Sequence, residues 1–239
     1  TIQNLRTSAL GDTLTADGAP APAPVAWESS RHFHKVFLRF GEYSAEYDTN
    51  GDPQYDAGGL GRIHRRGAPS AICMSVPCPV QPNYSVGDGT PVAMSLCAGR
   101  ALEDGWKFSC DPDVIHQTVS CGTDDDGAHA EILCRFADEG EVRTHYTVSN
   151  SGVTIVAKGA AGERIAHTLP AFCFDGETAP EIRVDARTLE IAYDGWICRY
   201  TTDGTVRDTG LTAYNRNGHY RVFAAEGTEE ISVRVEIVE

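Results

Sequence analysis

The sequence predicts an all-β protein built as one large antiparallel β-sandwich. Short apolar segments alternate with turns rich in Gly, Asn and Asp at close intervals, which is typical of sandwiches and barrels. No apolar pattern of helical period continues beyond one or two turns. The segment 231–238 alternates apolar and polar residues, as a strand with one buried and one solvated face does. With 239 residues, 41% of them apolar, the chain can bury one sizeable core.

The N-terminal part, residues 1–29, is predicted to be an extended arm or linker. It contains the sequence GAPAPAPVA, and this alternation of Ala and Pro favours extended backbone and cannot continue a helix. The change to strand-like sequence near residue 30 places the sandwich domain at residues 30–239.

The first elements of the sandwich are segments 34–40 and 43–47, read as two strands in a tight hairpin or as one strand with a bulge. Residues 48–61, DTNGDPQYDAGGLG, have the composition of a long loop. Residues 98–103 are the best candidate for a short helical piece. Further strands are predicted at about 70–76, 91–98, 104–110, 113–121, 128–137, 140–149, 152–158, 163–168, 180–185, 188–193, 196–201, 219–225 and 229–238.

The charge balance restricts the class of partner. A formal net charge of −14 opposes nucleic acid or an anionic membrane as the main partner, since both would be repelled. A polyanionic substrate would need a local basic cleft, whereas a neutral or weakly acidic saccharide meets less repulsion. No segment approaches the ~18 apolar residues that span a bilayer, and the first residues lack the features of a signal peptide.

The eight cysteines have no metal-like spacing, and several lie inside apolar runs, as Cys73 and Cys198 do. Free cysteines in such runs behave as small hydrophobic residues. Reduced thiols favour a cytoplasmic location, with a secreted protein as the alternative. Cys110 and Cys121, on either side of a predicted turn, are the first candidates for a disulfide.

The main basic cluster of this acidic chain follows three closely spaced glycines and contains Arg62, His64, Arg65 and Arg66. Guanidinium groups bind carboxylates or sulfates through paired hydrogen bonds, and a histidine exchanges protons near neutral pH. Chemistry on uronic acids requires this combination. The alternative is a surface loop whose arginines pair with neighbouring Asp and Glu.

A second candidate site is formed by His32 and His34, which point the same way if they lie on a strand. They could share a metal or substrate site with Asp48 or His64 as a third ligand. The alternative is the polar face of an edge strand. The acidic run 124–127 lacks the spacing of a calcium loop and is better explained as a hairpin turn.

Two stretches carry a resemblance to a known family. The first runs through 46–56 (EYDTNGDPQYD) and 59–67 (GLGRIHRRG), and the second through 169–172 (LPAF) and 174–176 (FDG). Both resemble the C-terminal β-sandwich half of heparinase II/III-like polysaccharide lyases over residues 30–239. The resemblance implies a sandwich of the super-sandwich type, an N-terminal α/α toroid as partner domain, and cleavage of an acidic oligo- or polysaccharide by β-elimination in the cleft between them.

The resemblance also implies roles for individual residues. His64 would transfer the proton, Tyr55 would be a neighbouring acid or stacking ring, and Arg62 and Arg65 would bind the uronate carboxylate. His32 and His34 echo a motif that holds a structural zinc in some members, but the aspartate that usually follows closely is absent here.

Three hypotheses follow from the sequence. The chain is the sandwich of a polysaccharide lyase, incomplete as an enzyme without its toroid; or a noncatalytic carbohydrate-binding module that uses Trp27, Trp106 or Trp196; or a structural domain. Motifs of serine hydrolases, P-loop proteins and dinucleotide-binding enzymes do not occur in the sequence.

Overall fold

The computed structural model describes residues 23–29, 34–52, 56–74, 95–103 and 105–239. The regular secondary structure in these ranges consists of strands, and all the strand pairs are antiparallel. The prediction of an all-β antiparallel sandwich is confirmed. Within the described ranges no helix is long and apolar enough to cross a membrane.

The first four strands form a sheet of their own in sequence order. They are β1 (Val25–Glu28), β2 (Lys35–Phe40), β3 (Tyr43–Asp48) and β4 (Gly59–Arg65). The register between β3 and β4 shifts, because Glu46 pairs with Arg62 while Tyr47 pairs with Leu60. This bulge turns both Leu60 and Ile63 toward the core, where each is 1% exposed.

The other thirteen strands form a second sheet that divides into two layers, since β16 and β17 are joined only through the pair Thr228–Glu230. A five-stranded layer has the order β6-β5-β11-β16-β15, and an eight-stranded layer has the order β12-β13-β14-β17-β10-β9-β8-β7. The strands are β5 (Ala98–Leu102), β6 (Gly105–Phe108), β7 (Ile115–Thr123), β8 (Ala128–Arg135), β9 (Glu141–Ser149), β10 (Gly152–Lys158), β11 (Arg164–Phe174), β12 (Glu181–Val184), β13 (Thr188–Tyr193), β14 (Trp196–Thr202), β15 (Thr205–Asn215), β16 (Gly218–Thr228) and β17 (Glu230–Val238).

The four-stranded sheet and the five-stranded layer both pack on one face of the eight-stranded layer. From the four-stranded sheet, the Tyr47 ring lies 5.3 Å from that of Tyr146 on β9. Against the five-stranded layer, the Tyr200 hydroxyl on β14 donates to the Pro170 carbonyl at 3.0 Å. The cross-strand register connects Tyr200 and Tyr146 through three valines, which places both tyrosines on the same face. The sandwich therefore has eight strands in one layer and nine in the other.

Two predicted elements differ from the structure because tertiary pairing decides them. The helical assignment of residues 98–103 is wrong, since Ala98–Leu102 is strand β5 and pairs with both β11 and β6. Residues 59–61 of the predicted loop belong to β4. Gly59 permits this because its φ is 120° and a Cβ there would lie 2.3 Å from the Ser95 hydroxyl.

Two further differences concern strands. In the predicted strand 70–76, the described residues 70–74 form turns whose apolar side chains are buried in the core. Strand β15 was missed by the sequence reading, because a register shift between Asp208 and Thr212 interrupts its alternation. Within the predicted arm, residues 25–28 form β1 and pair with β2, while residues 1–22 lie outside the described part of the chain.

Candidate functional site

The solvent-facing side of the four-stranded sheet, here called the outer face, brings together aromatic and charged side chains. Because side chains alternate along a strand, those that flank buried positions point away from the core. The strand register places them in two rows across the sheet. One row is Trp27, Phe37, Glu46 and Arg62, and the next is Val25, Arg39, Ser44 and His64.

The aromatic end of the outer face is flat and open to solvent. The rings of Trp27 and Phe37 stack with centroids 5.5 Å apart and planes 15° apart. Trp27 is 57% exposed. A large ring that remains exposed while stacked offers a rigid apolar surface to a ligand, with little conformational entropy left to lose on binding.

The charged end of the outer face is centred on Glu46. Its carboxylate accepts ion pairs from Arg62 Nη1 and from Lys35 Nζ, each at 3.2 Å. The Arg62 side chain is 41% exposed. An anionic ligand at this position would meet a cation that the protein has already oriented.

Beside this row lies a half-buried group of charges around Lys35. The ammonium group lies 2.6 Å from Asp48 and 3.8 Å from Asp56. Burial alone would lower the pKa of Lys35, but the hydrogen bond and charge of Asp48 raise it above its ordinary value, so the group stays protonated. Burial, and then the charge of Asp48, raise the pKa of the Asp56 carboxyl.

The backbone is strained where the chain enters β2. His34 has a φ of 53°, which is uncommon for a residue with a side chain. Its carbonyl accepts hydrogen bonds from the Thr49 N–H at 2.8 Å and the Thr49 hydroxyl at 2.9 Å, and these hold the conformation. Strained residues of this kind concentrate at binding and catalytic sites.

The predicted basic cluster is divided between the two faces of the sheet. Arg62 and His64 are two residues apart on β4 and share the outer face, about 7 Å apart along the strand. Arg65 pairs with the core residue Tyr43, donates to the Ile237 carbonyl at 2.6 Å, and lies 5.2 Å from the Trp196 ring centroid. It is thus held between the layers.

The remaining predicted site residues are only partly described. Tyr55 and His32 lie outside the described residues. Among the residues that are described, no group of three or more His, Cys, Asp or Glu side chains could hold a metal ion. Asp48, a predicted third ligand, is bound to the Lys35 ammonium. Since His32 lies outside the described residues, the zinc site that the resemblance implies stays a prediction.

A tyrosine–histidine pair lies beneath the outer face. Tyr47 Oη is 2.7 Å from His116 Nδ1, and Tyr47 is 2% exposed. Burial lowers the pKa of His116 to about 4 and raises that of Tyr47 well above its usual value. Both are therefore neutral near pH 7, and Tyr47 is too buried to touch a polymer. The sequence reading missed this pair because 69 positions separate the two residues and no local pattern connects them.

An open cleft of about 660 Å³ lies between Arg100 of β5 and strands β8 to β10 of the eight-stranded layer with their loops. Three cations line it, but each already has an acidic partner. Arg100 binds Asp138 and Glu163, Arg143 binds Glu131, and Lys158 binds Glu230. Arg62 of the outer face is likewise paired, with Glu46, so it is the exposed Trp27–Phe37 stack that makes the outer face the better candidate site.

Comparisons with known proteins support the fold. No family model matches the chain, and no curated protein matches it. A solved heparan sulfate lyase, HepC from Pedobacter heparinus, superposes with a TM-score of 0.62 at 10% identity over 100% of this chain and 42% of its own. A heparinase III structure gives a TM-score of 0.55 at 11% identity over 92% and 37%. The fold is heparinase-like.

The heparinase-like sandwich also occurs outside the lyases. A 4-alpha-glucanotransferase from Thermococcus litoralis superposes with a TM-score of 0.54 at 9% identity, covering 91% of this chain and 40% of its own. At such low identities the likeness concerns the fold alone. The chain spans about two fifths of the length of these structures.

Proposed function

We propose that this heparinase-like sandwich acts on uronic-acid saccharides, as part of a polysaccharide lyase that cleaves them by β-elimination. The observation that carries the proposal is the outer face, where an exposed aromatic stack, an oriented arginine and a histidine lie within two adjacent rows. The saccharide would run across the four strands. Three strand spacings separate Trp27 from Arg62, about 14 Å, which is long enough for more than one sugar ring.

Each group of the outer face has a defined task in this reaction. Arg62 would bind the uronate carboxylate, which makes the adjacent C–H more acidic because negative charge developing on the carboxylate is stabilised. His64 would remove that proton as the general base. Trp27 and Phe37 would stack on a neighbouring sugar ring. Arg65 is engaged between the layers, so Arg62 is the carboxylate-binding residue of this proposal.

The completed site would include residues beyond the described outer face. Tyr55 would return a proton to the leaving oxygen, and an α/α toroid would form the opposite wall of the cleft. With only one wall present, the substrate stays solvated and the site gains little from a low dielectric environment. We therefore expect this chain alone to bind saccharide and to turn it over slowly or not at all.

The second candidate function is a noncatalytic carbohydrate-binding module. The exposed Trp27–Phe37 stack favours it. In this case the stack would contribute most of the affinity and His64 would have no role in proton transfer.

One experiment separates the two functions. The chain, alone and joined to an upstream α/α toroid, is incubated with a panel of uronic-acid polysaccharides while the ultraviolet absorbance of the unsaturated product is followed. A lyase predicts turnover by the joined protein that falls by about 10²–10⁴-fold in His64→Ala, as expected for loss of an acid–base group. His129→Ala is the matched control, since His129 is a surface histidine on β8 bonded to Asp124.

Binding is measured in parallel by calorimetry. Trp27→Ala should weaken saccharide binding under either function, because it removes the exposed ring of the stack. No absorbance change with any substrate, together with binding that depends on Trp27, would replace the lyase with the binding module. No turnover and no binding by a folded protein would exclude both.

A further inference from the structure

A second chemically distinctive group of this molecule is the pair Cys97 and Cys110, at the open end of the hairpin formed by β5 and β6. Gly99 pairs with Phe108, and the Ser109 N–H donates to the Ala98 carbonyl at 2.7 Å. The next pair in this antiparallel register is Cys97 with Cys110. Opposed residues of such a ladder have Cα atoms about 4.5–5.5 Å apart, inside the range of about 4.4–6.8 Å that a disulfide spans.

The two thiols are in contact with each other. Both side chains are buried in a small cluster with Ala57, at 0% and 3% exposure for Cys97 and Cys110. The Cys110 thiol and the Cys110 backbone N–H both hydrogen bond to the Cys97 sulfur. The described cysteines are free thiols, so the pair is reduced in this structure.

The environment gives the two sulfurs different roles. Burial alone would raise the pKa of the Cys97 thiol, but the hydrogen bonds from Cys110 help to reverse the shift, and the pKa lies below its ordinary value. The hydrogen bond to Cys97, and then burial, raise the pKa of Cys110 well above its ordinary value. Cys97 is thus the better nucleophile and Cys110 is the proton donor.

A small oxidant has space beside Cys110, the member of the pair that faces a cavity, and Cys97 contacts Cys110 from the buried side. Cys110 lines a cavity of about 30 Å³ together with Asp56, Gly58 and His116. A cavity needs roughly 10–15 Å³ to hold one water molecule, so this one admits a water-sized molecule and excludes a bulky disulfide reagent. Hydrogen peroxide is the oxidant of matching size.

We infer that Cys97 and Cys110 form a peroxide-reactive thiol pair that closes to a disulfide. The Cys97 thiolate attacks one peroxide oxygen, the S–O bond forms, the O–O bond breaks, and hydroxide leaves. That hydroxide takes the proton of Cys110 and becomes water. The Cys110 thiolate then attacks the Cys97 sulfur, the S–S bond forms, and the sulfenic oxygen leaves as hydroxide. The sulfurs lose two electrons and the peroxide gains them.

The disulfide would restrict movement on the buried side of the candidate functional site. Leu96 forms a bridge with Leu60 of β4, with N···O distances of 2.9 and 3.1 Å in the two directions. A covalent link at Cys97 would fix this segment to the turn after β6 and limit movement of the first residues of β4. The inference does not depend on the proposed function, because thiol chemistry is measured without saccharide.

The test treats the reduced protein with a small molar excess of hydrogen peroxide, blocks the remaining thiols by alkylation under denaturing conditions, and maps the linkage by peptide mass spectrometry. We expect one Cys97–Cys110 disulfide per molecule. It should be absent from Cys97→Ser and Cys110→Ser and retained in the control Cys121→Ser, which changes a half-buried thiol on β7. Cys110→Ser should accumulate a sulfenic acid at Cys97 that dimedone captures once the protein is denatured in its presence.

Two results would overturn the inference. One is a wild-type protein whose Cys97 and Cys110 both remain alkylatable after peroxide treatment. The other is a disulfide that forms first at another pair, for example between Cys73 and Cys198. These two cysteines are also in contact, but the pKa of the Cys198 thiol is raised well above its ordinary value. Both readings come from the wild-type protein and do not depend on the variants folding.

Discussion

At the scale of single residues, burial decides the protonation state of the histidines that the sequence could not distinguish. His116 and His167 both have pKa values lowered by burial to about 4. His116 Nδ1 is hydrogen-bonded with the Tyr47 hydroxyl, and the ring also hydrogen bonds with the Ser109 backbone. These two histidines are therefore neutral structural groups.

The lowered pKa values predict acid sensitivity. In the unfolded chain a histidine binds its proton near pH 6.5, whereas in the folded protein these two bind it only near pH 4. The unfolded state thus binds more protons between these values, and the free energy of unfolding falls as the pH falls from about 6.5 to 4. Lowering the pKa of one of these histidines from 6.5 to about 4 corresponds to at most about 3 kcal/mol in the free energy of unfolding.

Urea denaturation measured across this pH window checks the prediction. His116→Gln and His167→Gln should each make the free energy of unfolding less dependent on pH, even where the variant is less stable overall. A slope between pH 6.5 and 4 that is unchanged in both variants would contradict the assignment.

At the scale of elements, the bulged strand β4 positions the candidate functional site. Gly59 lets the strand begin next to the chain segment that precedes β5, because a Cβ would lie 2.3 Å from the Ser95 hydroxyl and 3.2 Å from the Cys97 Cβ. The bulge that follows directs Arg62 and His64 outward and Ile63 inward. The loop composition of residues 48–61 predicted none of this.

Gly59→Ala should therefore destabilise the protein by about 1–3 kcal/mol, through backbone strain and overpacking at this contact. Gly122→Ala is the control, since Gly122 lies on a strand with open space around it and without a positive φ. Chemical denaturation compares the two. Equal stabilities for both variants would show that the close approach at Gly59 has no energetic consequence.

At the scale of the whole molecule, a hydrogen-bonded tyrosine joins the two layers. The Tyr43 hydroxyl donates to the Ile237 carbonyl at 2.8 Å and accepts from the Ile237 N–H at 2.9 Å, connecting β3 to β17 across 194 positions of sequence. Arg65 donates to the same carbonyl. The edge of the outer face is thereby fixed to the last strand of the eight-stranded layer.

Tyr43→Phe should cost about 1–3 kcal/mol of stability, because the buried Ile237 N–H loses its partner. Tyr193→Phe removes a hydroxyl that bonds Asp175 at the surface and should cost less than about 1 kcal/mol. Thermal unfolding distinguishes the two. If Tyr193→Phe were the more damaging change, the proposed role of Tyr43 between the layers would be wrong.

The sequence predicted some of the residues of the candidate site but not their arrangement. The basic cluster was visible as residue types, whereas its division between two faces depends on the bulge between Glu46 and Tyr47. The stack of Trp27 on Phe37 was not predicted, since β1 lies within the segment read as an arm. Cys110 was matched with Cys121, while its contact with Cys97 follows from the hairpin register.

By itself, the sequence determined that this protein is an all-β antiparallel sandwich, because alternation and turn chemistry are local and period-two patterns survive in any sheet. Tertiary structure alone decided which strands pair and which side chains meet on the outer face. It also decided that the four-stranded sheet and the five-stranded layer, nine strands in all, pack on one face of the eight-stranded layer. Those outcomes depend on contacts between residues far apart in the chain, such as Tyr43 with Ile237, which no local pattern encodes.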